Sequence, residues 1–200
     1  KSYGNDFKIL FAQGIPAEYP PFGGIISSWI SNLIGGSDKN SIDNFFVENK
    51  NLKEFKDTVN FLLLSDESES DKNIKGKLEN IIADFFISIT KNHKIILTAS
   101  DIHWADGISL DVCKLLAKSD IMLLLYSRPS ENIKQLDEIK SIRILNLGAL
   151  TLKETTDYLH LIIKSDISKK WINNLFEQTQ GVFLHLTQVI DSGLIASLSA

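Results

Sequence analysis

Residues 94–110 are Lys-Ile-Ile-Leu-Thr-Ala-Ser-Asp-Ile-His-Trp-Ala-Asp-Gly-Ile-Ser-Leu, and their pattern is the clearest indication of the fold class. Its first part, Lys94 to Ala99, is a short apolar run without polar alternation. Such a run is typical of a strand that is covered on both faces, as in a parallel sheet between helices. A segment of helical spacing, Ser109 to Ala117, follows it, and we expect Asp106 and Ser109 to cap that helix. The stretch therefore predicts a strand, a turn and a helix of an α/β fold.

Similar apolar runs occur at Lys8 to Ala12 and at Ile121 to Ser127, and a weaker one occurs at Ser141 to Leu147. Between them lie segments with the spacing of helices: Phe22 to Ile34, part of Ser41 to Leu64, and Leu78 to Thr90. Strands that alternate with helices form parallel sheets with right-handed crossovers. We therefore predict a three-layer α/β core, with helices on both faces of a parallel sheet and the Lys94 strand between the Lys8 and Ile121 strands.

The pattern changes after Leu147, where the segments are all helical: Thr151 to Ile163, Ser168 to Gln178 and Phe183 to Leu194. Glu154 follows Thr151 by three positions, which is the spacing of a capping box at the start of a helix. These features predict an α/β core over residues 1–148 and a separate helical subdomain over residues 149–200.

Composition and charge exclude several classes of function. The net charge is -4 and Lys and Arg are not clustered, so the chain has no electrostatic basis for binding nucleic acid. No apolar run approaches the roughly 20 residues that a membrane-spanning helix needs. The single cysteine, Cys113, excludes an internal disulfide and a cysteine-based zinc site. We therefore expect a cytoplasmic protein without a membrane span, in which Cys113 is a small core residue.

Two further features concern the start of the chain and one of its loops. The chain begins at Lys1 rather than at methionine, and we interpret it as a piece of a longer polypeptide. The segment Ser65 to Asp71 is acidic and lacks apolar residues, so we expect a solvated loop there. Regulatory phosphorylation at Ser68 or Ser70 is the alternative interpretation of this segment.

The residues directly after the Lys94 strand carry the functional signal. An acidic residue at the carboxyl end of a buried strand lies at the edge where open α/β sheets bind ligands. The string Ser100-Asp101-Ile102-His103-Trp104-Ala105-Asp106 resembles the Walker B region of the STAND branch of AAA+ ATPases. In that family an apolar strand is followed by two acidic residues, then by x-His-Trp-Ala-Asp and a Ser-Leu helix start. The resemblance implies a sheet of P-loop NTPase type, with ATP and Mg²⁺ as cofactors if a phosphate loop precedes Lys1.

The flanking segments agree with the same family in order and spacing. Tyr126-Ser127-Arg128-Pro129 resembles its sensor 1 turn, residues 147–154 resemble the start of its helical lid, and residues 179–184 resemble the Thr-Gly-Gly-Asn-Pro segment of that lid. The resemblance implies catalytic roles for Asp101 and Arg128 and a metal site at Ser100 and Asp101. The nucleotide contacts that it implies are Ser100, His103, Trp104, Gly181 and Phe183.

Three departures from the family pattern bear on activity. No Gly-x-x-x-x-Gly-Lys-Ser/Thr phosphate loop occurs in the sequence, and Lys75-Gly76-Lys77 is better explained as the start of a helix. Ser100 stands where the first acidic residue is expected, and a hydroxyl carries no charge with which to hold Mg²⁺. Phe183 replaces the proline of the lid segment. We therefore expect the isolated chain to turn over no ATP.

Each of these residues also has a structural interpretation. His103 and Trp104 fit a packed turn that braces Asp101 better than they fit a proton-transfer or base-stacking device. Arg128 is either a phosphate-sensing guanidinium or an ordinary loop residue. Phe183 is either a ring that stacks on a base or, more simply, a core residue that begins a helix.

Two functions follow from this pattern. The first is a regulatory, switch-like nucleotide-binding module of a larger signalling protein, with weak or lost hydrolysis, whose partners are a nucleotide and other domains of the same polypeptide. STAND-like modules occur beside class III nucleotide cyclases, protein kinases and transcription regulators, and the resemblance alone favours the cyclase. The alternative is an interaction scaffold that keeps the AAA+ fold and has no nucleotide site, which Ser100, Phe183 and the missing phosphate loop favour.

Overall fold

The computed structural model describes residues 7–18, 21–64, 75–91, 93–163 and 166–192. The chain divides into two compact units, Lys1–Ile144 and Leu145–Ala200. The boundary predicted from the sequence, between residues 148 and 149, lies a few residues further along. The acidic segment Ser65 to Asp71 is outside the described residues, so the solvated loop there stays a prediction.

The first unit contains a parallel sheet with the strand order β1-β2-β3. The strands are β1 (Phe7–Gln13), β2 (Lys94–Ser100) and β3 (Met122–Leu125). Phe7 pairs with Lys94 in β2, and Ile96 pairs with Met122 in β3. This order confirms both the α/β class and the predicted position of the Lys94 strand between its two neighbours.

The helices of the first unit connect these strands. They are α1 (Gly24–Ile34), α2 (Lys39–Glu48), α3 (Lys56–Leu64), α4 (Lys75–Thr90), α5 (Gly107–Leu116) and the short α6 (Lys134–Asp137), with 3-10 turns at Lys50–Phe55, Ile102–Trp104 and Glu131–Ile133. Helix α4 begins at Lys75, as the Lys-Gly-Lys string predicts. Trp29 of α1 is fully buried, and its Nε1 donates a hydrogen bond to the Thr98 carbonyl of β2 at 2.8 Å. This bond fixes α1 to the middle of the sheet.

Helices cover one face of the sheet in the part of the chain that the structure describes. Leu10 and Leu97 face the helices and are 1% and 0% exposed. On the opposite face Phe7, Ile9 and Phe11 of β1 are 55%, 62% and 50% exposed. The strand order explains this, because both crossovers advance in the same direction and right-handed crossovers then place their helices on the same face. The prediction of three layers is wrong for the described residues, which form two.

The weak fourth strand predicted at Ser141 to Leu147 does not form, since these residues have no strand structure. Ile144, Leu145 and Leu147 are 52%, 80% and 88% exposed. Within the described residues the sheet ends at β3, and this segment pairs with no strand of it. An apolar run without a pairing partner does not become a strand.

The second unit is helical, with α7 (Leu152–Ile162), α8 (Lys169–Thr179) and α9 (Phe183–Asp191). The Glu154 N–H donates to Thr151 Oγ1 at 3.2 Å, and the Thr151 N–H donates to Glu154 Oε2 at 2.8 Å, which confirms the predicted capping box. The small core of this unit is built on four buried residues: Leu159, Ile172, Leu175 and Leu186. The predicted helices are confirmed, with α9 ending at Asp191, whereas a role as a lid stays a prediction.

The sequence predicts no membrane span. Across the described ranges, no helix is both long enough and apolar enough to cross a membrane. Helix α4, with 16 residues, falls short of the roughly 20 that a spanning helix needs.

Candidate functional site

The carboxyl ends of the strands bring several predicted site residues to one edge of the sheet. Ser100 is the last residue of β2 and Asp101 follows it, while Arg128 comes three residues after the end of β3. Because β2 and β3 are parallel, these residues lie at the same edge. Gln13, the last residue of β1, pairs with Ser100 and joins them there. This is the edge at which open α/β sheets bind ligands.

Asp101 has a left-handed backbone conformation, with φ of 53° and ψ of 38°. This conformation is uncommon for residues with a side chain, although aspartate tolerates it better than most. Its Oδ2 accepts a hydrogen bond from Nε2 of Gln13 at 3.2 Å. The chain therefore turns sharply out of the sheet directly after Ser100, and the carboxylate of Asp101 is held at the sheet edge, half-buried.

Gly14 packs directly against the turn at Asp101. Its N–H donates to the Ser100 carbonyl at 2.8 Å. A Cβ atom at Gly14 would lie inside 3.0 Å of the Asp101 carbonyl oxygen and 3.2 Å from Cβ of Trp104, so only glycine fits this close approach. Gln13 and Gly14 are not among the site residues predicted from the sequence. Their position at the end of a strand parallel to β2 is the signal that could have identified them.

His103 and Trp104 belong to the 3-10 turn that follows Asp101. The Trp104 N–H donates to the Asp101 carbonyl at 2.9 Å, and Nδ1 of His103 lies 3.4 Å from Oγ of Ser127. The His103 and Trp104 rings are 5.1 Å apart, and Trp104 is 42% exposed. These contacts form a packed turn that holds the backbone of Asp101 in place. A contact between either ring and a nucleotide stays a prediction.

The chain after β3 continues to pair with the Asp101 turn. The Tyr126 N–H donates to the Ala99 carbonyl at 2.9 Å, and the Ile102 N–H donates to the Tyr126 carbonyl at 3.1 Å. Arg128 is exposed, and within the described residues its guanidinium makes no hydrogen bond or ion pair. Oγ of Ser127 donates to the Arg128 carbonyl at 2.8 Å. A guanidinium in this state is available to an anion at the same edge as Asp101.

Asp106 has the predicted capping role. Its Oδ1 accepts from the Ser109 N–H at 3.4 Å, and its Oδ2 accepts from the Gly23 N–H at 2.8 Å. Since Gly23 immediately precedes α1, Asp106 ties the starts of α5 and α1 together. The predicted capping by Ser109 is wrong, because its own N–H is the group that is capped. Its hydroxyl is buried without a hydrogen-bond partner in the described part of the chain.

The residues at this edge supply the kind of ligand that Mg²⁺ prefers. Magnesium binds oxygen, commonly through one or two carboxylates with water and phosphate completing the set, and Asp101 and Ser100 fit that chemistry. Among the described residues no group of three His, Cys, Asp or Glu side chains could hold a metal ion alone. The cavity between Gln13 and Trp104 measures about 30 Å³, against roughly 300 to 1,000 Å³ for a small-molecule site. The residues of this edge therefore fit Mg²⁺ as ligands, whereas the cavity is smaller than a small-molecule site.

Gly181 and Phe183 lie in the second unit, at the start of α9. Gly181 has φ of 69°, and a Cβ there would lie inside 3.0 Å of the Leu150 carbonyl oxygen, so the backbone requires glycine. Phe183 begins α9, as predicted, but it is 51% exposed and its ring lies 5.0 Å from the ring of Tyr158. The interpretation of Phe183 as a core residue is wrong, because Leu186 is the residue that α9 buries.

Cys113 is the small core residue that the sequence predicts, with 1% exposure. Burial, reinforced by the negative charge of Asp106, raises the pKa of the Cys113 thiol to about 12. A neutral, buried thiol is a poor nucleophile and a poor metal ligand, so Cys113 does not take part in the site.

Comparison with known proteins adds nothing to the resemblance of the Asp101 string. No protein-family model, curated protein or solved structure matches the chain.

Proposed function

We propose that the chain is a regulatory nucleotide-binding module of STAND type within a larger signalling protein, with weak or absent ATP hydrolysis. In this proposal Asp101 holds Mg²⁺ or orders the attacking water, and Arg128 faces the phosphates. A phosphate loop from polypeptide outside this sequence completes the site. A class III nucleotide cyclase is the attached effector that the resemblance favours.

The observation that supports this proposal best is the conformation of Asp101. Its φ of 53° departs from ordinary backbone geometry at the end of the middle strand. Such conformations persist only where neighbouring groups hold them, and they occur often at functional sites. Here the amide of Gln13 binds the carboxylate and the Trp104 N–H binds the carbonyl. A carboxylate fixed in this way meets a cation with little further ordering.

The charges at this edge account for the weak hydrolysis that we propose. Arg128 offers a fork of donors that matches the geometry of phosphate oxygens. Ser100 is neutral, so the end of β2 carries one carboxylate, that of Asp101, where the family pattern has two. One carboxylate attracts a divalent ion less strongly than two, and the ion is the largest local charge in such a site.

The test is a calorimetric titration of Mg²⁺ and ATP into the natural full-length polypeptide. We expect Asp101→Asn to weaken binding by about tenfold or more, because it removes the charge and keeps the side-chain shape. Ser100→Asp should strengthen magnesium-dependent binding, since it restores the second carboxylate. Asp120→Asn is the matched control, because Asp120 is exposed and precedes β3 at the other edge of the sheet.

Equal affinity in the wild-type protein and Asp101→Asn would refute the proposal, and so would absence of binding in the full-length polypeptide. The 200-residue chain alone should show no ATP turnover, because it contains no phosphate loop. Turnover by this chain that is lost in Asp101→Ala would contradict the need for a separate phosphate loop.

The second candidate is an interaction scaffold without a nucleotide site. The cavity of about 30 Å³ at the Asp101 edge favours it, because this space is far too small to enclose a nucleotide. Under this alternative Ser100→Asp adds an unpaired charge at the strand end and lowers stability by about 1 to 3 kcal/mol. Magnesium and ATP then fail to bind the wild-type protein and the variant alike.

A further inference from the structure

A second candidate site lies at the opposite, amino-terminal edge of the sheet. A cavity of about 480 Å³ opens there, lined in part by Lys8 near the start of β1 and by His93 directly before β2. This volume falls within the roughly 300 to 1,000 Å³ of small-molecule sites. All of its lining residues belong to the first unit, and Ser100, Asp101 and Arg128 are not among them. The cavity is therefore separate from the proposed nucleotide site.

Three helices end at this cavity. Its lining includes Leu33 and Ile34 from the end of α1, Glu48 from the end of α2, and Ser88 and Ile89 from the last turn of α4. Because the peptide dipoles of a helix align, each carboxyl end carries a partial negative charge, up to about half an elementary charge. The cavity therefore has three sources of negative potential before any side chain is considered.

Acidic side chains add to this potential. Glu48 is exposed, and within the described residues its carboxylate makes no hydrogen bond or ion pair. Asp38 lies behind the lining residue Ser41, whose hydroxyl donates to Asp38 Oδ2 at 2.6 Å. This bond, together with backbone N–H donors, lowers the pKa of Asp38, so its carboxylate is charged at neutral pH.

The positive groups of the lining are Lys8 and, when protonated, His93. Nζ of Lys8 donates to the carbonyl of Leu33 at 2.6 Å, so this ammonium already caps the end of α1. The bond also shows that a carbonyl at a helix end of this cavity can accept a hydrogen bond from an ammonium group. Glu48 is left as an unpaired acceptor in the described part of the chain.

About half of the remaining wall is apolar, and its polar residues are Ser41, Asn44, Asn49, Asn51 and Ser88. Leu52 and Ile89 are 3% and 2% exposed, and Phe45 beside them is half-buried. Small-molecule sites combine apolar walls with polar groups at fixed positions. A ligand that satisfies both parts of this lining carries a positive charge at one end and an apolar body at the other.

We propose that this cavity binds a small organic cation, an ammonium group on an aromatic or aliphatic body. Glu48 is the counter-charge of the ammonium, and Phe45, Leu52 and Ile89 contact the apolar body. The site goes beyond the proposed nucleotide function and does not depend on it.

The probe is 2-phenylethylamine, titrated into the ¹⁵N-labelled chain and followed by NMR. We expect a Kd of about 1 mM and amide shift changes confined to the strand around Lys8, to residues 33–52 and to residues 88–93. The neutral analogue 2-phenylethanol has the same shape without the charge, and it should bind about tenfold more weakly. The anionic analogue 3-phenylpropanoate should not bind measurably.

The variant that tests the counter-charge is Glu48→Gln. Because Glu48 is exposed, the fold should persist, and we expect about a fivefold weaker affinity for the amine with an unchanged affinity for the alcohol. Glu177→Gln, on the exposed side of α8 in the second unit, is the matched control and should change neither affinity. The proposal is overturned if the amine and the alcohol bind equally, if Glu48→Gln binds the amine as the wild-type protein does, or if the amine shifts other amides. Absence of amine binding at about 10 mM also overturns it.

Discussion

Replacing Gly14 by alanine tests the close contact that holds the Asp101 turn. The added Cβ would lie inside 3.0 Å of the Asp101 carbonyl oxygen and 3.0 Å from its carbonyl carbon, so one of the two backbone segments must move. That oxygen also accepts the Trp104 N–H bond of 2.9 Å, which the movement weakens. Overpacking costs about 1 to 3 kcal/mol and the weakened bond about 0.5 to 1.5 kcal/mol. We therefore expect the free energy of unfolding to fall by about 2 to 4 kcal/mol, which lowers Tm by roughly 4 to 16 °C.

The assay is differential scanning calorimetry of Gly14→Ala beside Gly107→Ala. Gly107 begins α5, and a Cβ there meets no atom within 4 Å. Alanine is the better helix former by about 0.5 to 1 kcal/mol, so the control should be unchanged or slightly more stable. If the two variants unfold within about 0.5 kcal/mol of each other, the argument from the Asp101 contact is refuted.

Further predictions concern three residues that support the fold. Asp106→Ala should lower the free energy of unfolding in urea by about 1 to 2 kcal/mol, because α5 loses its cap and the Gly23 N–H before α1 loses its acceptor. An unchanged midpoint of unfolding would contradict this. Cys113 should react with a thiol reagent at the rate of unfolding, and rapid labelling of the native chain would show that the core is open. Burial raises the pKa of the Cys113 thiol from 9.0 to about 12. The contribution of the protonated thiol to stability is therefore complete below pH 9 and is lost between pH 9 and 12. Cys113→Ala should remove this loss. Hydrogen bonds from Thr151 lower the pKa of Glu154 below its ordinary 4.5, so the cap of α7 stabilises the fold above that value and is lost as the pH falls through the folded value; an NMR titration that finds an unshifted pKa would contradict this.

Local periodicity was sufficient for β1, β2, β3 and the longer helices, but not for the run at Ser141 to Leu147, which forms no strand, nor for the layering. The runs that begin at Lys8, Lys94 and Ile121 are strands because apolar residues without alternation pair well within a parallel sheet. The same alternation of strands and helices occurs whether successive crossovers advance across the sheet in one direction or in both. Helices cover the second face of the sheet only when the direction of the crossovers reverses. Phe7 and Ile9 are exposed for this reason, although their sequence is that of a buried strand.

The site was predictable in part for a related reason. Asp101 follows an apolar run, and that local pattern predicts a carboxylate at the carboxyl edge of a sheet. The partners of Asp101 cannot be identified in this way, because Gln13 meets it only through the register of β1 on β2. Phe183 shows the opposite limit, since an aromatic residue at a helix start looks the same in the sequence whether its ring is buried or in solvent.

The register of the sheet also has a consequence for synthesis of the chain. Phe7 pairs with Lys94, so the residues that join β1 to its neighbour are 87 positions apart. At about 5 to 20 residues per second, β1 leaves the ribosome roughly 4 to 17 s before β2 exists. Parallel pairing over such a distance is slow because the intervening loop must be closed first. During translation β1 therefore spends this interval unpaired with β2, and chaperone binding protects its apolar residues most during that time.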